Sequence, residues 1–187
     1  MATLGKTSTT TNYAQYISST FAGLCITETL TTGADVYDAY VYLRRNTSGV
    51  TSYCKVMIWD MSGNLITNGV SNEITVDNND YAWKSATFST HPQLSPGSSY
   101  YLGIVHYGGS ATIRAASNDE SPYGGTYPYS ITYTGANITV GNITNTTRRM
   151  TVYVNYNETA SGPALKIEGV TPNKVEGVSW SDLNDIY

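Results

Sequence analysis

Charged residues are scarce in this sequence. Ten Lys and Arg and fourteen Asp and Glu make up 13% of 187 residues, about half the ~25% of an ordinary soluble domain. With a net charge of −4 and only two basic pairs, Arg44-Arg45 and Arg148-Arg149, there is no stripe of cations for a phosphate backbone, which excludes a nucleic-acid partner. Cysteine is nearly absent. Cys25 and Cys54 allow at most one bridge, and each sits in an apolar strand pattern, so free buried thiols are expected. Histidine is as rare: neither His91 nor His106 lies in a Cys-His, Ser-His-Asp or His-x-x-x-His spacing, the patterns that nucleophilic or metal chemistry needs. The acids fall in turns (Asp77, Asp80, Asp119, Glu120) or near the C-terminus, not as a pair facing a cleft, as glycoside hydrolysis requires. The expectation is a non-enzyme. No apolar run approaches the ~18 residues of a membrane span, so no membrane partner is expected. Met1 to Lys6 carries no apolar core of signal-peptide type, so the expected place of synthesis and assembly is a cytoplasm.

In place of charge stand 17 Tyr and abundant Thr, Ser and Asn, a β-rich composition with hydroxyl-covered surfaces. A period near two, or a short apolar run between turn residues, marks strands at Ala14–Ser18, Gly23–Leu30, Val36–Arg44, Tyr53–Asp60, Asn72–Val76, Trp83–Phe88, Tyr100–Tyr107, Ala111–Ala115, Ser130–Tyr133 and Arg148–Tyr156. Turn chemistry separates them, as at Ser62-Gly63-Asn64, Asn68-Gly69, Asp77-Asn78-Asn79-Asp80, Ser95-Pro96-Gly97 and Gly124-Gly125. No stretch reads as an amphipathic helix of useful length. The pattern predicts an all-β, antiparallel sandwich. Alternation turns Cys54, Val56 and Ile58 inward, and Met150, Val152 and Val154 likewise, with Thr151, Tyr153 and Asn155 outward; Leu102 to Val105 read as a strand covered on both sides. The sandwich is expected over residues 1–157, a linker over 158–165, and an extended arm over 166–187.

That arm contains a repeat. Lys166-Ile167-Glu168-Gly169-Val170-Thr171-Pro172-Asn173 is followed at once by Lys174-Val175-Glu176-Gly177-Val178-Ser179-Trp180-Ser181. Two units of this size are too few for a free-standing solenoid, which needs about three repeats. Ile167, Val170, Val175, Val178, Trp180, Leu183 and Ile186 are too apolar for a solvated linker. They are the expected partner-binding residues, docking on a neighbouring subunit or back on the same domain, with Trp180 the best anchor.

Two resemblances follow from these residues. Leu4-Gly5-Lys6-Thr7, the segment Cys54 to Asp60 with its turn Ser62-Gly63-Asn64, and Leu94-Ser95-Pro96-Gly97-Ser98-Ser99-Tyr100-Tyr101-Leu102-Gly103-Ile104 together resemble jelly-roll β-sandwich modules of tailed-phage virion proteins. The same modules occur as non-catalytic, carbohydrate-binding-like domains, and the resemblance covers about residues 4 to 156. The arm looks like the short valine-glycine repeats at the ends of phage structural proteins. These resemblances imply a structural virion component of the capsid, tail or fibre, assembled in the host cytoplasm, oligomeric and in contact with other virion proteins. The alternative they imply is a carbohydrate- or host-receptor-binding module.

For a surface glycan, Tyr123, Tyr127 and Tyr129, with Tyr133 nearby, crowd a Gly/Pro-rich stretch that would display flat rings to a sugar. The same density suits cross-strand packing or a subunit interface. No cofactor is expected. Asp77-Asn78-Asn79-Asp80 and Asn118-Asp119-Glu120 offer hard oxygens for calcium, but tight turns want the same residues and no EF-hand spacing is present.

Overall fold

The structure is a computed structural model, and it describes residues 1–9, 13–18, 22–107, 112–120, 123–127, 131–144 and 147–159. The arm residues Ile167, Val170, Val175, Val178, Trp180, Leu183 and Ile186 lie outside the described residues, as does Tyr129. The described chain is β-strand and connection: β1 (Ala2–Gly5), β2 (Tyr13–Ile17), β3 (Ala22–Ile26), β4 (Gly33–Arg45), β5 (Ser52–Asp60), β6 (Leu65–Val70), β7 (Ile74–Val76), β8 (Ala82–Thr87), β9 (Gln93–Leu94), β10 (Tyr100–His106), β11 (Ile113–Asp119), β12 (Gly124–Tyr127), β13 (Arg148–Met150) and β14 (Val152–Thr159). The strands form two antiparallel sheets, as expected for an all-β sandwich.

The first sheet runs β1-β14-β4-β11-β13, with β2 against β11 and both β8 and β9 against β4. Its spine is β4, which pairs with β14 and then β11 along one edge and with β9 and then β8 along the other. The second sheet runs β12-β3-β10-β5-β6, with β7 against β5. Alternate residues of both sheets meet between them: Val36, Val41 and Leu43 from β4, Val56 and Ile58 from β5, Leu102 and Ile104 from β10, and Val152 and Val154 from β14. Burial of this apolar layer supplies the main stabilisation, at about 25 cal/mol per Å² removed from water.

A second core lies on the other face of the second sheet. Leu24, Met57, Trp59, Tyr101 and Val105 point away from the first sheet and are covered by Tyr127, Ile131 and Ile138. Every residue of β10 is therefore buried, which matches the two-sided strand expected there. The cover is irregular chain. The strand expected at Ser130–Tyr133 does not form over its described part, Ile131–Tyr133, and only a 3-10 turn, Val140–Asn142, interrupts the coil. Hydrogen bonds with the second sheet hold it, among them Trp59 Nε1 to Ala136 O (2.7 Å), Ile138 N to Gly63 O (2.8 Å) and Leu65 N to Asn137 Oδ1 (2.9 Å).

Two turn signals turn out to be strand. Asn68-Gly69 lies inside β6, where Asn68 takes φ 62 and the register with β5 shifts, so the pair makes a bulge. Gly124-Gly125 opens β12 because a Cβ at Gly124 would collide with the Arg148 backbone. Near the last strand, Thr151 is fully buried and Asn155 nearly so, against the outward expectation. The chain bends at Thr151, whose N–H donates to Ala116 O of β11 (2.9 Å) while Tyr42 N–H donates to its own carbonyl (3.1 Å).

Candidate functional site

Of the tyrosines expected to form a glycan platform, the structure describes Tyr123 and Tyr127. Tyr127 is 7% exposed within the second core, and its Oη accepts from Thr139 N–H (3.3 Å). Tyr123 is 44% exposed, but the Arg149 guanidinium lies over its ring, 5.4 Å from the centroid. The two serve separate elements, Tyr127 sealing a core and Tyr123 capping a charge network. A Gly/Pro-rich stretch reveals crowding in the chain, not in space.

Tyr133 does find company, from strands distant in sequence. Its ring packs on Tyr107 (centroids 4.8 Å apart) and under the Lys55 ammonium (4.5 Å), and its Oη donates to Glu73 Oε2 (3.2 Å). Burial, followed by the Glu73 charge, pushes its phenol pKa well up. Tyr107 is 57% exposed and Tyr53, whose carbonyl accepts from Tyr107 N–H, is 38% exposed. Exposed rings beside one ammonium and one carboxylate provide both an apolar face and hydroxyl-binding groups.

The larger aromatic assembly covers the outer face of the first sheet. Because β4 alternates, Ala39, Val41 and Leu43 enter the core while Asp38, Tyr40, Tyr42 and Arg44 face out. Cross-strand register sets Tyr153 of β14 beside Tyr40 and Trp83 of β8 beside Tyr42. Tyr40 and Tyr153 stack at 4.9 Å and 5°, Trp83 meets Tyr153 edge-on (5.2 Å, 73°), Tyr42 packs on Trp83 (5.2 Å) and Tyr81 (5.6 Å), and Arg44 lies over Tyr81 (5.4 Å). All are half-buried. Asp38 raises the pKa of the Tyr40 phenol, its charge being the main cause. This face was not among the expectations from sequence; the alternation of Tyr40, Tyr42 and Arg44 is the signal that could have marked it, while their partners Tyr81, Trp83 and Tyr153 come from elsewhere in the chain.

A third cluster stitches the sheets at one end. Arg149 is 6% exposed, and it donates to Glu28 Oε1 (2.7 Å), Glu120 Oε2 (3.0 Å) and Cys25 Sγ (3.2 Å), while Lys6 pairs with Glu120. Burial, then the nearby Arg149 charge, lowers the Lys6 pKa. Burial raises that of Cys25, and Arg149 offsets this only in part. The arrangement is a satisfied ionic tie between β3, β13 and the loops after β1, β3 and β11.

Several side chains of the calcium loops are engaged internally. Asp77 pairs with Lys84, Asn79 Oδ1 accepts from Arg45, the Asn78 amide caps Leu43 O and Asp80 O, and Glu120 belongs to the Arg149 network. Among the described residues no three His, Cys, Asp or Glu side chains group as metal ligands. An open cleft of about 570 Å³ beside Asp60, Ser98 and Tyr100 is likewise chemically quiet. Burial opposes the charge on Asp60, but hydrogen bonds from Asn64 and from the Ser62 and Gly63 N–H groups hold its pKa below the usual range, so the carboxylate is fixed as a turn cap. No protein-family model matches the chain, and no curated protein matches it in sequence.

Proposed function

We propose that the protein is a non-enzymatic structural component of a phage virion, in the capsid, tail or fibre, with a jelly-roll-like body held to neighbouring subunits by its C-terminal arm. One observation carries the reading: among the described residues both cores are built from strands and cover that run no further than β14, which ends at Thr159 paired with Gly33, and the apolar repeat follows that strand in the sequence. Seven large apolar side chains in so short a stretch call for a surface that covers them. Removing residues 160–187 is expected to leave far-UV circular dichroism and the thermal melt of the body intact while abolishing incorporation into particles. Incorporation of the shortened chain at the wild-type level would reject the proposal.

A second reading, a glycan- or host-receptor-binding module, draws support from the exposed Tyr53 and Tyr107 and the half-buried Tyr133 beside Lys55 and Glu73. It expects the shortened body to bind saccharides on an array and Tyr107→Ala to weaken that binding. An array left blank by the intact chain removes it.

A further inference from the structure

We propose that the outer face of the first sheet is a two-fold interface, on which a second copy of this chain docks with its β4 antiparallel to the first. This goes beyond the attachment assigned to the arm and does not rest on it. Three observations lead there.

The first is composition. The centre of the face is Tyr40, Tyr42, Trp83 and Tyr153, and its ends carry Asp38 and Arg44. Tyrosine, tryptophan and arginine are the residues enriched at the energetic centres of protein interfaces.

The second is ring geometry. At 4.9 Å and 5°, Tyr40 and Tyr153 present their flat faces to each other, and Trp83 and Tyr153 meet edge to face. A sugar needs a free ring face, which the Tyr40–Tyr153 stack withholds. Ring edges and phenol hydroxyls suit interdigitation with another protein surface instead.

The third is the order of charges, which decides the partner. Asp38 and Arg44 stand six residues apart on β4, about 20 Å at strand rise. At the Asp38 end, one carboxylate oxygen is buried with no hydrogen-bond partner among the described residues, and the other accepts from Tyr40 Oη at 3.5 Å. At the far end, Arg44 and Arg114 are direct cross-strand neighbours, and such like charges repel. Their contacts are neutral: Arg44 donates to Arg45 O (3.4 Å) and covers Tyr81, while Arg114 donates to Asn46 Oδ1 (2.7 Å) and Tyr16 Oη. A two-fold axis near the aromatic centre lays the Asp38 end of each copy on the Arg44 and Arg114 end of the other. Both unneutralised ends are then paired by one operation, the reciprocity that an isologous contact requires. A rotation of the half-exposed Asp38 side chain presents its carboxylate to the guanidinium.

The full chain is tested by light scattering on gel filtration over a range of micromolar concentrations. The expected result is a dimer that Asp38→Arg and Arg44→Asp each weaken at least ~10-fold, since each places like charges together twice. Mixing the two variants restores a heterodimer, because the two introduced side chains then meet with opposite charges, and the unchanged Asp38 of one copy meets the unchanged Arg44 of the other. That recovery also proves both variants folded. Should either fail to fold, Tyr42→Thr, a substitution suited to a strand, replaces it and is expected to weaken the dimer. A monomer at all concentrations, a dimer indifferent to these changes, as one joined only through the arm would be, or no recovery on mixing folded variants overturns the proposal.

Discussion

Trp59 lies against Gly103 so closely that a Cβ on the glycine would run into Cζ3 of the indole and come within 2.9 Å of its Cη2. The two residues occupy neighbouring strands, β5 and β10, and Trp59 is fully buried. Its Nε1 is tied to Ala136 O, so the ring cannot swing aside without breaking the bond that anchors the cover of the second core.

Gly103→Ala is therefore expected to destabilise the protein. In a free strand the change would gain about 0.5–1 kcal/mol from lower backbone entropy, but overpacking against a fixed ring costs about 1–3 kcal/mol, so the net sign is a loss. Urea midpoints measure it. Combining Gly103→Ala with Trp59→Leu should cost less than the sum of the two changes, and strict additivity would show that the contact is not what glycine relieves.

His106 predicts a dependence on acid. It is 3% exposed, both ring nitrogens lack hydrogen-bond partners among the described residues, and burial lowers its pKa below the ordinary ~6.5. The folded state keeps it neutral while the unfolded chain takes up a proton below about 6.5, so the unfolded state binds more protons in that window. The full stability is present above pH ~6.5 and declines as pH falls from there toward the lowered folded value. Urea unfolding of wild type and His106→Leu at several pH values between about 7.5 and 5 checks this. A His106→Leu variant with the same slope as wild type contradicts it.

The sandwich was legible because strand burial leaves a period of two, and it leaves that mark whether or not partners are known. Thus Cys54, Val56 and Ile58 turned inward as read, and the two-sided β10 appeared as an unbroken apolar run. Irregular cover has no period, which is why Ile131–Tyr133 passed for strand while hydrogen bonds to Trp59, Gly63 and Leu65 shape it otherwise. The aromatic surfaces were half legible. Local density pointed to Tyr123 and Tyr127, yet the rings that gather do so across strands, Tyr40 with Tyr153 and Tyr107 with Tyr133, at separations no window of sequence spans.

Arg149 is expected to matter more than any surface charge. Arg149→Ala removes a donor from Glu28, Glu120 and the Cys25 thiol at the seam between the sheets, and of these Glu120 keeps Lys6. Breaking a buried pair costs about 3–5 kcal/mol, but the Glu28 side chain is 59% exposed and water recovers part of this, so the loss should fall near ~2 kcal/mol. Lys84→Ala, which breaks the exposed pair with Asp77, should leave stability nearly unchanged, because solvent screens that pair. Thermal melts of the two variants decide between them, and equal small shifts would show the seam network to be dispensable.

The cysteines are expected to stay reduced, for a reason of register. Cys25 stands opposite Leu102 and Cys54 opposite His106, on the two sides of β10. Four residues of strand separate those levels, about 13 Å along the strand before the spacing across β10 is added, whereas a disulfide needs Cα atoms within about 7 Å. Both thiols are fully buried, and burial raises both pKa values, so neither offers a thiolate to a reagent. A thiol-specific chromogenic reagent should therefore leave the native protein unlabelled and react with both residues in urea, at a rate that follows unfolding. A reductant should leave the melting temperature unchanged. Rapid labelling of the native chain, or a faster-migrating band on a non-reducing gel, would show that β3 and β5 do not flank β10 in this register.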